Sequence, residues 1–414
     1  MTRQRFLGLL GIFVALGAGV TAPVEAASGL APRAATSVSC LPAPHPVTTE
    51  QTTAFFDLAT RKLGSVRNTG AKRYPLGAPT ATSEYTRTTA TAWTSGFFAA
   101  ELWLLYQRTQ ETRWLEAARE QTRGLVGIAG YGGSHDLGFM VGLPTGLGVI
   151  LDPSAEQRAI YAGARATAAT TLAKRWNPRV LAMKSSDYDG SWGLIVDSAM
   201  NAPLLIEIGQ LLGGAEGREL EYRGTQHMLT LARDFVRPDG STFHRMAYNP
   251  KTGALIGPIP GQGFDASTST WARGQAWAMN GFTRAYELTK NPELLAAAER
   301  TAAFWVSRVP PGCIPAWDFD IEHSRGPRDS SAAAIAADGL LNLRRIVGDK
   351  AADYGAYAEV TLGLLTTPWI TTARSVNPGL LLQQSLNVPK NPQEGSYVWG
   401  DFYLLSALTP RSFA

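Results

Sequence analysis

The strongest constraint on this chain is an alternation between two kinds of helical pattern. Helical stretches fall at roughly 48–66, 93–109, 113–127, 136–150, 154–176, 198–212, 217–236, 270–289, 291–309, 328–347, 351–369 and 396–409. They are read from apolar residues at helical spacing between short breaks that contain Gly or Pro. The odd members of the series, such as GRELEYRGTQHMLTLARDFV at 217–236, are charged on one face and apolar on the other, as half-exposed helices are. The even members, such as SAMNAPLLIEIGQLL, ARGQAWAMNGF and SSAAAIAADGLLNL, are rich in Ala, Gly and Leu with few charges. That suits helices packed on several sides. Six half-exposed and six buried helices in strict alternation predict a ring within a ring, an all-α (α/α)6 barrel or six-hairpin toroid. An open α-solenoid also alternates but usually carries a repeat of fixed length, and none is visible. Strand-like alternation is confined to short pieces such as Thr242–Tyr248.

The toroid accounts for 48–414. Ahead of it, residues 1–26 read as a secretory signal: Arg3 and Arg5, an apolar run Phe6–Val20, and Val24-Glu25-Ala26 as the exit. The run is short for a membrane span and no second one follows. The expectation is a secreted or periplasmic chain without membrane attachment. Residues 27–47, rich in Ala, Ser and Pro, read as an N-terminal arm. A formal charge of +4 is too mild to suggest nucleic acid, though compatible with an anionic substrate. A monomer or weak oligomer is expected. Cys40 and Cys313 are the two cysteines. Export permits a disulfide between them, and two free thiols fit as well, because the sequence sets no distance.

In a toroid the inner helices run in one direction, so their N-termini share one end. The chemically unusual residues gather at those starts: Trp93, His135-Asp136, Asp197, Arg273 with Trp277, Asp329, and Trp399-Gly400-Asp401. Asp197 follows the apolar run Leu194-Ile195-Val196 and precedes a helix, so desolvation and the helix N-terminus push its pKa in opposite directions. Alone it reads as an N-cap; within the cluster it is a candidate proton donor near neutral pH. Asp136, on the adjacent inner helix, supplies a second carboxylate, and paired acids in unequal environments suit a glycosidic or vinyl-ether substrate. Arg273 and Trp277 share a helix face, a flat cation beside a flat ring that fits a carboxylate-bearing sugar. The alternatives are an internal salt bridge from Arg273 to Asp136 or Asp197, and core filling by Trp277. His135 and His244 read as hydrogen-bonding partners; His45, His227 and His323 read as surface or structural. Neither HExxH nor paired cysteines occurs, so no metal is expected. No GxSxG elbow or phosphate-cradling loop is present, and no cofactor is expected.

The motifs SHDLGFM (134–140), IVDSAMN (195–201), TFHRMAYNPKTG (242–253), WARGQAWAMNGF (271–282), DSSAAAIAADGLLNL (329–343) and WGDFYLL (399–405) resemble glycoside hydrolase family 88, the unsaturated glucuronyl hydrolases, over about 50–410. The resemblance implies a barrel acting on lyase-generated oligosaccharides that end in a 4,5-unsaturated uronic acid, by hydration of the double bond. It implies that Asp197 protonates C4 and then helps activate the water that adds at C5, with Asp136 orienting and tuning. It places substrate contacts on Trp93, His135, His244, Gln262, Arg273 and Trp277. The family's S-W-D triplet is here Ser185-Ser186-Asp187, which leaves Trp192 or Tyr188 to supply the stacking platform. Of an S-x-x-S-x-K pattern associated with sulfated substrates, Ser385 and Lys390 remain, with Val388 between them. The rivals are an unsaturated rhamnogalacturonyl hydrolase acting on pectin fragments and a non-catalytic carbohydrate-binding barrel.

Overall fold

Alternation of polarity along the chain becomes alternation of place in space. The computed structural model describes residues 39–66, 74–80, 83–321, 326–367, 370 and 375–409, apart from the side chains of Ser39 and Tyr188. The signal-like segment, residues 27–38 of the arm and His323 lie outside the described residues. Among the described residues there are thirteen α-helices: α1 Thr49–Val66, α2 Ser95–Thr109, α3 Thr112–Val126, α4 Leu143–Leu151, α5 Ala155–Ala173, α6 Ser198–Asn201, α7 Pro203–Leu212, α8 Gly214–Asp234, α9 Ala272–Thr289, α10 Pro292–Arg308, α11 Ser330–Val347, α12 Ala352–Leu365 and α13 Val398–Leu408. Eleven of the twelve expected stretches coincide with them to within a few residues, while the fourth, 136–150, opens as a π-helical stretch Gly138–Gly142 and becomes α-helical only at Leu143; the sixth is divided into α6 and α7 at Pro203, which has no N–H to continue the ladder.

The inner ring closes. Helix α2 packs on α4 and α13, α13 on α11, α11 on α9, and α9 on α6 and α7, while a π-helical stretch Gly138–Gly142 leading into α4 packs on α6 and α7. Their small side chains allow this: Ala272–Phe282 of α9 and Ser330–Leu340 of α11 are buried without interruption. The outer helix α3 instead buries one stripe containing Trp114, Leu115, Ala118 and Leu125. An aromatic layer plugs the lumen, with Phe97, Phe139, Trp277 and Tyr403 in ring contact at 5.1–6.2 Å. Each such ring removes on the order of 150–250 Å² from water and anchors the core.

The structure departs from the sequence reading in its strands, which are far more numerous than expected. Ser186–Tyr188, Ser191–Ile195, Arg245–Tyr248 and Leu255–Pro258 form one four-stranded antiparallel sheet. Gln384–Asn387, Asn391–Tyr397, Tyr74–Ala78 and Thr86–Thr88 form another. Nearly all strands lie in connections that lead from an outer helix into the N-terminus of an inner one, whereas the inner-to-outer connections are short. The sheets therefore wall one mouth of the barrel. Cys40 and Cys313 form a disulfide, Cα to Cα 4.0 Å, which settles the open choice and fixes the arm to the barrel. No helix among the described residues is long and apolar enough to cross a membrane.

Candidate active site

The walled mouth brings Asp197 and His244 together through strand register. Ile195 pairs with Arg245, and Val196 N–H donates to the His244 carbonyl at 2.9 Å, which aligns the residues that follow and precede the ladder. His244 Nε2 then lies 3.7 Å from Asp197 Oδ2. Asp197 stands at the N-cap position of α6, yet its carboxylate caps no helix N–H, and Oδ2 is buried without a hydrogen bond. The simple capping role is thus excluded. Burial pushes the Asp197 carboxyl up to about 7, and the neighbouring Asp136 charge adds to the rise; backbone N–H and Arg273 oppose it. Near neutral pH a large share of this acid therefore still holds its proton.

Asp136 is held beside it by residues the sequence reading did not single out. Asn201, at the end of α6, donates Nδ2 to Asp136 Oδ1 at 3.3 Å and to the Asp197 carbonyl at 3.3 Å. Its Oδ1 accepts from Phe139 N–H at 2.9 Å, inside the π-helical stretch. The approach depends on Gly138, where an added Cβ would stand 2.6 Å from Asn201 Cα. Such π-turns often mark functional sites, and this one begins two residues after Asp136. Ser134 Oγ donates to Asp136 Oδ2 at 2.9 Å, and His135 Nε2 lies 3.6 Å from Asp136 Oδ1. Both carboxylates remain open to water, their side chains 14% and 19% exposed.

The tautomer of His244 follows from its partners. Gln262 N–H donates to His244 Nδ1 at 2.8 Å, so in the neutral ring Nε2 carries the hydrogen and points it at Asp197. Burial, then Arg245, Arg273 and His135, depress its pKa to about 3, so the ring is neutral. Gln262 therefore acts here through its backbone. His135 is likewise lowered by burial, outweighing Asp136. His227 is structural, accepting from Met183 N–H at 3.1 Å and pairing with Ser198 Oγ at 2.9 Å. It is buried within the core, not on the surface.

Two expected contacts are relocated. Arg273 is 1% exposed, and its partner is Asp329 at 2.6 Å, not Asp136 or Asp197. It also donates to the Ser385 and Leu386 carbonyls and stacks near Trp271 and Trp399. With both Nη groups engaged it is an anchor that acts on Asp197 through its field. Trp277 is fully buried in the aromatic plug and presents no face to a ligand. Trp93 is half-buried at the mouth against Phe97, Phe139 and Trp399. Trp192 is half-buried on the wall, with Lys184 over its ring at 5.1 Å and an unpartnered buried Nε1. Lys390 is exposed at the tip of the Gln384–Tyr397 hairpin, outside the two-aspartate cluster. Arg175, which donates to the Gly132, Lys184 and Ser185 carbonyls, ties the loop before His135 to the wall.

At the other end of the lumen, beyond the aromatic plug, a cavity of about 400 Å³ is lined by Arg165, Glu207, Arg284, Glu287 and Arg345. These pair with one another at 2.5–3.2 Å, and the cavity contains neither aspartate. Among the described residues no group of three or more His, Cys, Asp or Glu could hold a metal ion.

The chain matches no family model. It is 34% identical over 347 residues to an unsaturated glucuronyl hydrolase of Formosa agariphila, covering 82% of this chain and 84% of that one. It is 27% identical to an unsaturated chondroitin disaccharide hydrolase of Streptococcus pyogenes, over 87% of this chain and 90% of the relative. Among solved structures, an unsaturated glucuronyl hydrolase specific for heparin superposes with a TM-score of 0.81 at 27% identity, covering 87% of this chain and 96% of that one. The unsaturated glucuronyl hydrolase of Bacillus sp. GL1, responsible for the degradation of glycosaminoglycan, superposes with a TM-score of 0.78 at 27% identity, over 87% and 95%.

Proposed function

The chain belongs to glycoside hydrolase family 88, the unsaturated glucuronyl hydrolases, and from that premise we propose that Asp197 is its general acid and Asp136 the carboxylate that tunes it. It is a glycosidase acting on lyase-generated oligosaccharides that end in an unsaturated glucuronic acid. One observation carries the assignment of roles: a buried, uncapped carboxyl, pushed up to about 7 beside a second acid, that still reaches water.

In a 4,5-unsaturated uronate the ring oxygen is attached to C5 of the double bond, making an enol ether. Protonation at C4 puts the positive charge on C5, where the ring oxygen shares it. Asp197 supplies that proton, and the carboxylate it becomes takes one from a water as the water oxygen bonds to C5. The hemiketal opens by breaking the bond between C5 and the ring oxygen, leaving a C5 ketone. The hemiacetal at C1 then expels the remaining sugar as an alcohol and becomes an aldehyde. One water is consumed and Asp197 regains its proton. The Asp136 charge keeps Asp197 protonated beforehand and stabilises the cation as it forms. His244 Nε2–H, aimed at Asp197, stabilises the carboxylate once the proton has left.

The signal-like residues 1–26 and the Cys40–Cys313 disulfide support an exported enzyme. A panel of lyase-generated disaccharides followed by loss of ultraviolet absorbance tests the substrate class, with deuterium oxide as solvent to label C4. Turnover of chondroitin, hyaluronan or heparin products with one deuteron at C4 supports the reading. Turnover confined to rhamnogalacturonan products would transfer the enzyme to the pectin rival.

A further inference from the structure

Asp197 stands at a helix start and yet caps nothing, and the hydrogen bonds around it give the reason. The side chains of Ser154 and Asn291, which cap α5 and α10, do so from extended backbone, with ψ 119° and 120°. Asp197 is already helical, with φ −56° and ψ −25°. The N–H groups of Ala199 and Met200, which a capping carboxylate would take, go instead to the Val196 and Asp197 carbonyls, each at 3.0 Å. One side chain closes this bend: Ser198 Oγ donates to the Ile195 carbonyl at 2.6 Å, spanning Val196 and Asp197. Ile195 N–H donates to Ser185 Oγ at 3.2 Å, so hydroxyls hold both backbone polar groups of the last residue of the strand Ser191–Ile195. The Ser198 hydroxyl is itself fixed from α8. Met183 N–H donates to His227 Nδ1 at 3.1 Å, so the neutral ring carries its hydrogen on Nε2 and gives it to Ser198 Oγ at 2.9 Å. Burial lowers the pKa of that ring to about 3 and keeps it neutral. Ser198 and His227 are both buried, where each bond is electrostatically stronger than in water.

We propose that Ser198, held by His227, is a positioning residue of the reaction, whose hydroxyl locks the bend that aims the Asp197 carboxyl away from its own helix and into the crevice. The inference rests on the reading of Asp197 as the general acid. A carboxyl that capped Ala199 or Met200 would be held ionised, because N–H donors favour the charged form, and would lie along α6 instead of beside Asp136 and His244. Other contacts set α6 itself. An added Cβ at Gly281 of α9 would stand 2.4 Å from the Ala199 carbonyl oxygen, and Asn201 accepts from Phe139 N–H. Loss of the Ser198 hydroxyl therefore frees the bend and leaves the helix in place. The charged and titratable groups around Asp197 are Asp136, Arg273 and His244, with His135 and Arg245 next to them. Ser198 bonds to none of these, so its variants leave them as they are.

The test is the pH profile of kcat/KM on one lyase-generated unsaturated disaccharide for the unaltered enzyme, Ser198→Ala and Ser198→Thr. One hydrogen bond is worth about 2- to 10-fold in the population of the locked bend. Ser198→Ala should lower kcat by about 10-fold at neutral pH with KM changed by less than about threefold. Its alkaline limb should move to lower pH by about half a unit to one unit, as Asp197 gains access to its own helix N–H groups. Ser198→Thr keeps the hydroxyl and should return the limb toward its original place. A merely structural hydroxyl would lower thermal stability and leave the limb within about 0.2 of a pH unit of the unaltered enzyme, and that result overturns the proposal. A limb that moves as far in Ser198→Thr as in Ser198→Ala overturns it too. Should Ser198→Ala not fold, Ser198→Cys is read in its place by the same outcomes, since a thiol is a weak donor. Unimpaired turnover by Asp197→Asn would instead refute the general-acid reading, so the two failures are distinct.

Discussion

An acid whose carboxyl is pushed up to about 7 should cost the fold stability in alkali, and Asp197→Asn measures that cost. The carboxyl rises from an ordinary 3.8 to about 7. The folded state therefore holds a proton that the unfolded chain has released between those pH values. For a group with a raised acid pKa, stability falls as pH rises through this window. At roughly 1.4 kcal/mol per unit, three units amount to about 4 kcal/mol when the window has been crossed. About 2.5 kcal/mol of this develops between pH 5 and pH 8. Asparagine has the same shape and no charge at any pH, so the variant is free of the penalty. Asp401, pushed up to about 6, and Glu101 and Asp318, also raised by burial, titrate alike in both proteins and cancel in the difference. Urea unfolding of both proteins at pH 5, 6, 7 and 8 should show the variant's advantage growing with pH. A difference that stays flat, or shrinks, would refute the claim that Asp197 is held protonated.

Asp136→Asn removes a charge that raises Asp197, so the alkaline limb of the kcat/KM profile should move to lower pH, read from a pH series on one disaccharide. Asn201→Ala withdraws the amide that spans the two aspartates; kcat should fall by about 10- to 100-fold with KM changed less, and the same limb should move. A change confined to thermal stability would make Asn201 merely structural. Replacing Cys40 and Cys313 with Ala opens a link across 273 residues and should cost about 2–5 kcal/mol in unfolding experiments, with kcat retained.

The barrel was legible because its two helix types differ in polarity along their whole length, and one-sided or all-round burial follows from polarity. The strands were not, because pieces such as Ser186–Tyr188 and Ala182–Met183 are too short for a two-residue period to register. That His135, Asp136 and Asp197 gather at one mouth was legible because the starts of inner helices must share it; His244, which precedes the strand Arg245–Tyr248, was named from its motif and not from a helix start. What escaped was set by long-range contacts. The 56-residue separation hides the pairing of Arg273 with Asp329, and the same four-residue spacing that pairs Arg273 with Trp277 on a helix face cannot say which face meets the lumen. Asn201 stood in the quoted IVDSAMN motif; its i+4 offset from Asp197 was the signal that could have marked it, since residues four apart on a helix meet.

The proposed hydration depends most on a proton passing from Asp197 to C4. Its most direct test is kcat for Asp197→Asn on a lyase-generated unsaturated disaccharide, followed by loss of ultraviolet absorbance, with sugar binding measured separately. The expected result is a fall of about 100- to 10,000-fold in kcat with binding retained. Turnover within a few-fold of the unaltered enzyme would contradict it.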